Sequence, residues 1–102
     1  MATLSAALGE AVAELPGVTR REGAGTIEYG LGDRPFATLE ADGGAASFRL
    51  SPPVAAAAVQ TPDTEPSPRG ADWVTLRPTV VDGHAIDRAV AWLESAWRHA
   101  GG

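Results

Sequence analysis

The sequence predicts an α+β domain in which N-terminal and C-terminal helices pack on one curved antiparallel sheet of about four or five strands. Two features of the 102 residues support this fold class. Apolar residues recur at helical spacing near both ends of the chain, whereas between residues 18 and 50 they occupy every second position. Short connections rich in Gly and Asp separate the alternating segments, so neighbouring strands are expected to be antiparallel.

The two main helices are predicted at residues 4–15 and 82–100. Pro16-Gly17 ends the first helix, and Gly101-Gly102 ends the second. Each helix has an apolar stripe at the spacing expected for one buried face. The stripes consist of Leu4, Leu8, Ala11, Val12 and Leu15 in the first helix and Ile86, Ala89, Val90, Leu93, Ala96 and Trp97 in the second.

The alternating pattern predicts strands at residues 27–31, 35–40 and 46–50, with a weaker strand at 18–22. The pattern leaves open which face of 35–40 is buried. Ser51-Pro52-Pro53 begins a short alanine-rich helix that ends near Gln60, because Ser is a good N-cap and Pro is tolerated in a first helical turn. Residues 61–72 contain three prolines and are predicted to be a loop, and a further strand is predicted at 73–77.

Length and composition limit the classes of function. The length fits one domain spanning residues 1–102. The net charge is −5, and all eight basic residues are arginines. Because nucleic-acid affinity comes mainly from cations that displace phosphate counterions, this charge disfavours DNA as a partner. The absence of cysteine excludes disulfides, thiolate nucleophiles and thiolate metal sites.

The apolar pattern also bears on location. The chain has no basic start followed by a long apolar stretch, and no run approaches the ~20 apolar residues that cross a bilayer. We therefore expect a cytoplasmic protein with no membrane contact.

No residue constellation typical of an enzyme is found. His84 and His99 are 15 positions apart on one predicted helix, about 22 Å at the helical rise, so they cannot share a metal ion through that helix. No serine lies in a Gly-x-Ser-x-Gly elbow, and the paired acids Asp63/Glu65 and Glu40/Asp42 are predicted in wet loop or edge positions. We expect no enzymatic activity, no metal and no cofactor.

Several short motifs resemble one known family. Leu15-Pro16-Gly17-Val18, residues 31–39, residues 68–76 and Leu93-Glu94-Ser95-Ala96-Trp97 are similar, in this order, to MmcQ/YjbR-type proteins. The resemblance implies a curved antiparallel sheet packed by helices, and DNA binding through two hairpin wings. The wings would be residues 32–35, with Arg34 at the tip, and residues 42–44, which carry an acid and no base. Pro16-Gly17-Val18 and Trp73-Val74 are also similar to small domains labelled luciferase-like.

The candidate nucleic-acid-binding residues are Arg20, Arg21, Arg34 and Arg49, which all fall in the strand and turn region. The same stretch holds nearly as many acids. We therefore favour a mixed outer face on which Glu22, Glu28 and Glu40 neutralise the arginines as cross-strand pairs.

The candidate partner-binding residues are Trp73 and Trp92. Trp73 points away from Val74 and Leu76, and Trp92 lies at the edge of the helical stripe. Exposed indoles would suit a groove or a dimer contact. The alternative is that Trp73 lies beneath residues 61–72 and Trp92 covers a sheet edge. We expect a non-enzymatic binding domain that contacts DNA weakly through its wings, or else a protein-interaction or homodimerisation module that uses these indoles and an exposed sheet edge. A third hypothesis, a small-molecule pocket between the sheet and the final helix, has no polar signature in the sequence.

Overall fold

A computed structural model describes residues 3–40 and 42–102. Within these ranges it contains three helices and one open sheet of six strands, which confirms the α+β class. The elements in chain order are α1 (Leu4–Ala13), β1 (Val18–Gly23), β2 (Thr26–Leu31), β3 (Arg34–Glu40), β4 (Ala46–Arg49), α2 (Pro52–Ala58), β5 (Thr64–Pro66), β6 (Trp73–Leu76) and α3 (Gly83–His99).

The sheet is antiparallel throughout, with strand order β1-β2-β3-β4-β6-β5. The first four strands form a meander joined by short turns, as the alternating pattern predicts. Gly32, which has a φ of 61°, provides the left-handed residue in the β2–β3 turn. The strands β1 and β5 lie at the two edges of the sheet.

The strand β5 corrects the predicted loop at residues 61–72 and raises the strand number above the expected four or five. It pairs with β6 from Thr64 opposite Leu76 to Pro66 opposite Val74. Pro66 has no N–H to donate, but proline is tolerated in an edge strand, where one side of the backbone has no partner strand. The proline-rich composition therefore does not exclude a short edge strand.

One face of the sheet forms the core with the helices. The buried residues on the strands are chiefly Leu39, Ala46, Phe48, Val74 and Leu76, and they pack against one face of α1 and of α3. The buried helical residues are Leu4 and Leu8 in α1, and Ala85, Ala89, Leu93 and Ala96 in α3. All except Ala85 belong to the predicted stripes, whereas Ile86, which the α3 stripe includes, is only partly buried.

A β-bulge in β3 determines which of its side chains are buried. Tyr29 pairs with Ala37 and Gly30 pairs with Pro35, so Phe36 is an extra residue without an opposite partner. Phe36, Ala37 and Leu39 all join the core, whereas Thr38 lies on the opposite face in register with Ser47. The bulge allows two consecutive apolar side chains to be buried, which strict alternation does not.

Candidate binding surfaces

The structure divides the four candidate arginines into two groups. Arg20 and Arg21 are consecutive and exposed in the edge strand β1, so their side chains point to opposite faces of the sheet. Arg34 begins β3 and Arg49 ends β4, and both line a cleft beside the end of α3. The four residues therefore do not form one basic surface.

Acidic side chains accompany the arginines, but several partners differ from the expected ones. Glu22 pairs with Arg20 of its own strand at 2.7 Å. Glu28 lies opposite Arg21 in register, but the ion pair that it makes is with Arg69, at 3.9 Å. Two further pairs join Glu40 to Arg77 at 3.2 Å and Asp72 to Arg49 at 3.0 Å. The surface is thus mixed in charge, and each of these exposed pairs contributes little stability, roughly 0–1 kcal/mol.

The two hairpin turns that the family resemblance assigns to DNA lie at opposite ends of β3. A seven-residue strand separates them by roughly 20 Å. Arg34 is exposed at the first turn, and its Nη1 donates to the carbonyl of Ala100 at 3.5 Å. At the second turn Gly43 is buried against Ser5 and Thr3. The second turn therefore packs on the start of α1 and does not project as a wing.

Trp73 lies beneath the segment that joins β5 to β6. Its side chain is only 8% exposed, and the guanidinium of Arg69 lies 4.8 Å from the ring centre. This distance is typical of a cation–π contact. Arg69 also reaches Glu28, so it connects β2 with β6 across the face of the sheet away from the helices.

Trp92 is partly buried and packs against the core. Its ring N–H is buried without a hydrogen-bond partner among residues 3–40 and 42–102. The neighbouring Trp97 differs, because its ring N–H donates to the carbonyl of Pro16 at 3.2 Å and so connects α3 to the turn between α1 and β1.

A polar row crosses the face of the sheet that the helices leave uncovered. Its central members are Thr38, Ser47 and Thr75, which lie side by side on β3, β4 and β6. The hydroxyls of Ser47 and Thr75 lie 2.9 Å apart in a hydrogen bond. The strand register continues this row to both edges of the sheet. From β1 to β5 its members are Arg21, Glu28, Thr38, Ser47, Thr75 and Glu65.

The strand β1 is the longer of the two edge strands, with six residues against three in β5. Five of its six residues are exposed, and β2 is its only partner strand among the described residues. An edge of this kind presents backbone N–H and C=O groups that can pair with another strand.

The cleft beside the end of α3 has a volume of about 280 Å³. Its polar lining residues are Arg34, Arg49 and His99; Ala100 is partly exposed there, and Phe36 and Ala96 lie fully buried behind the wall. The sequence does not group these residues, because position 99 meets positions 34 and 49 only when the end of the chain packs against its first half.

The ion pair between Asp72 and Arg49 beside this cleft lowers the pKa of the Asp72 carboxyl group. The hydrogen bond from Arg49 Nε holds the pKa of Asp72 below its ordinary value, with smaller contributions from a backbone hydrogen bond and from the charges of Arg49 and His99. Partial burial of the carboxylate opposes this effect. Asp72 therefore remains ionised and keeps the side chain of Arg49 in place above mildly acidic pH.

His84 and His99 lie at the two ends of α3, as the spacing predicts, and both are exposed. Within the part of the chain that the structure describes, no group of three or more His, Cys, Asp or Glu residues is arranged to hold a metal ion. None of the described helices combines the length and apolarity that a membrane span requires.

Comparison with protein-family models finds none that matches the chain, and comparison with curated proteins finds no significant match. The resemblance to MmcQ/YjbR proteins therefore stays a prediction that depends on the short motifs described above.

Proposed function

We propose that this chain is a non-enzymatic protein-interaction domain whose edge strand β1 pairs with β1 of a second copy. The observation that carries the proposal is the exposed, six-residue ladder edge of β1. Strand addition at such an edge uses main-chain hydrogen bonds for affinity and side-chain pairs for register. Neither Trp73 nor Trp92 is needed for this contact.

The opposite edge of the sheet supports the choice of β1. The strand β5 has three residues, one of which is Pro66, and Pro62 precedes it closely. Short strands and prolines are two of the devices by which proteins protect an edge from pairing. No proline interrupts β1, so its edge keeps its full set of donors and acceptors.

Charge complementarity supports a second copy as the occupant. In an antiparallel, two-fold pair centred on Arg21, Arg20 of each copy lies opposite Glu22 of the other. Two opposite-charge pairs then form on one face of the joined sheet. On the other face the two Arg21 side chains are neighbours, and Glu28 beside each of them offsets their repulsion.

A charge swap tests this pairing. Sedimentation equilibrium over a concentration series should show a dimer for the unchanged chain. Glu22→Arg places two arginines opposite each other and should weaken association at least about tenfold. The double variant Arg20→Glu/Glu22→Arg restores opposite charges and should restore the dimer.

Glu10→Arg on the exposed side of α1 is the matched control, because it makes the same change of charge away from β1. It should leave the dimer intact. A chain that sediments as a monomer at all concentrations, or a Glu22→Arg variant that dimerises like the Glu10→Arg control, would disprove the self-pairing.

DNA binding through Arg34 is a second candidate, favoured by one observation. Arg34 is exposed and has no carboxylate partner among the described residues. A gel-shift series at low salt should then show duplex binding that Arg34→Ala weakens, with the salt slope reduced by about 1. Arg98→Ala is the control, and duplex DNA that does not shift at low salt would remove this candidate.

A cytoplasmic setting is part of the proposal. It is supported by the absence of cysteine, which suits a reducing compartment. Fractionation of the source cells tests it, and recovery of the protein outside the cytoplasm would contradict it.

A further inference from the structure

We infer that the cleft beside the end of α3 binds a small organic carboxylate through Arg34 and Arg49. Two arginines and one histidine line a single cleft together with Phe36, Ala96 and Ala100. This inference is independent of the pairing at β1.

Both arginines have guanidinium N–H groups that are available to bind a carboxylate. Arg49 uses Nε for the ion pair with Asp72, and its two Nη atoms make no hydrogen bond within the described residues. Arg34 makes one weak contact, from Nη1 to the carbonyl of Ala100 at 3.5 Å. A guanidinium presents five N–H donors in a planar fork that matches a carboxylate. Most of the donors on these two side chains therefore remain available.

The arrangement of Asp72 makes the cleft suitable for an anion. Asp72 does not line the cleft, but it accepts from Arg49 Nε and so fixes that side chain. Fixing an arginine before a ligand arrives reduces the entropy lost on binding. The partial negative charge at the end of α3 opposes an anion, while the full charges of Arg34 and Arg49 favour one.

The apolar surface and the volume narrow the class of ligand. Ala100 is partly exposed in the cleft, and the fully buried Phe36 and Ala96 lie behind its wall, so the apolar surface that a ligand meets there is that of Ala100. A volume of about 280 Å³ lies just below the range of roughly 300–1,000 Å³ for ligand pockets, so only a small ligand fits. This combination fits a carboxylate on a small apolar body better than a nucleotide or a sugar phosphate.

Benzoate is a suitable probe, followed by backbone amide shifts in NMR titrations of the whole chain. We expect saturable shifts at residues around Phe36, Arg49 and Ala96, with a Kd on the order of 1 mM for so small a ligand. Arg34→Gln should raise the Kd at least about tenfold. Arg98→Gln removes the same charge from the same end of α3 without lining the cleft, and it should bind benzoate as the unchanged chain does.

Two further ligands complete the test. Benzyl alcohol has the same ring without the charge, and inorganic phosphate has the charge without the ring. Both should bind more weakly than benzoate. Equal binding of either ligand, or equal loss in the Arg34→Gln and Arg98→Gln variants, would overturn the assignment. The Glu22→Arg variant should bind benzoate normally, so failure of the β1 pairing and failure of this site are distinguishable.

Discussion

The two faces of the sheet differ in the interactions that keep their side chains in place. Phe48 and Ser47 are consecutive residues of β4, yet Phe48 is fully buried against the helices, whereas Ser47 joins a row of hydroxyls on the open face. Thr38 and Thr75 on that open face are nevertheless only 8% exposed. Close packing of apolar groups organises one face, and hydrogen bonds and ion pairs organise the other. The free energy of unfolding should therefore depend mainly on the face that the helices cover.

The largest effect is expected from shortening a side chain on the covered face. Phe48→Ala leaves a cavity among β3, β6 and α3 and should lower the free energy of unfolding by about 3–5 kcal/mol. Urea denaturation measures this loss. Ser47→Ala is the matched control one residue away, and it should cost at most about 1.5 kcal/mol because it removes one hydrogen bond with Thr75. Equal losses would contradict the difference between the faces.

The covered face is also the part of the fold that the sequence predicts best. The apolar stripes of α1 and α3 and the alternation in β2 and β4 are strong signals because burial sets their period directly. The bulge at Phe36 was not predicted, since two consecutive apolar residues fit no strict alternation. The sequence predicts a loop where β5 forms, because three residues beside prolines carry almost no periodic signal.

A smaller effect is expected at the helix that covers this face. The carboxylate of Asp82 accepts from the backbone N–H of Ala85 at 2.9 Å and caps α3. Asp82→Ala should lower the free energy of unfolding by about 1 kcal/mol. Ser51 begins α2 without a side-chain cap hydrogen bond, so Ser51→Ala is the control and should change stability much less. A larger loss from Ser51→Ala in thermal or urea unfolding would contradict this account.

The smallest effect is expected from the ion pair between Asp72 and Arg49, which lies away from the apolar core. Because the pKa of Asp72 is lowered by folding, its contribution is present above the unfolded value of about 3.9 and is lost as pH falls through the folded value. Asp72→Asn should therefore reduce stability at neutral pH by less than about 1 kcal/mol and flatten the decline in acid.

The control for this pH dependence is Asp33→Asn, the same change at an exposed turn residue that makes no ion pair among the described residues. Stability measured by urea denaturation from neutral to acidic pH checks both variants. An Asp72→Asn variant whose acid decline parallels that of the unchanged chain would show that the pair has no role in stability.

The candidate sites were harder to predict than the fold. The four candidate arginines lie near one another along the chain, but strand alternation turns Arg20 and Arg21 to opposite faces, and only Arg34 and Arg49 share a cleft. Arg69 and Asp72 lie in a segment predicted to be a loop, so neither the contact of Arg69 with Trp73 nor the pairing of Asp72 with Arg49 had a local signal. Such contacts depend on residues distant in sequence and become visible only in three dimensions.

Because α3 follows all six strands in the chain, the core cannot be covered completely until the end of synthesis. Residues are made from the N-terminus onward, so Phe36, Phe48 and Leu39 leave the ribosome well before Leu93 and Ala96, which cover the same core. Until α3 emerges, the meander exposes an apolar surface that chaperones recognise. A nascent chain stalled before α3 should therefore be bound by chaperones and released when translation resumes.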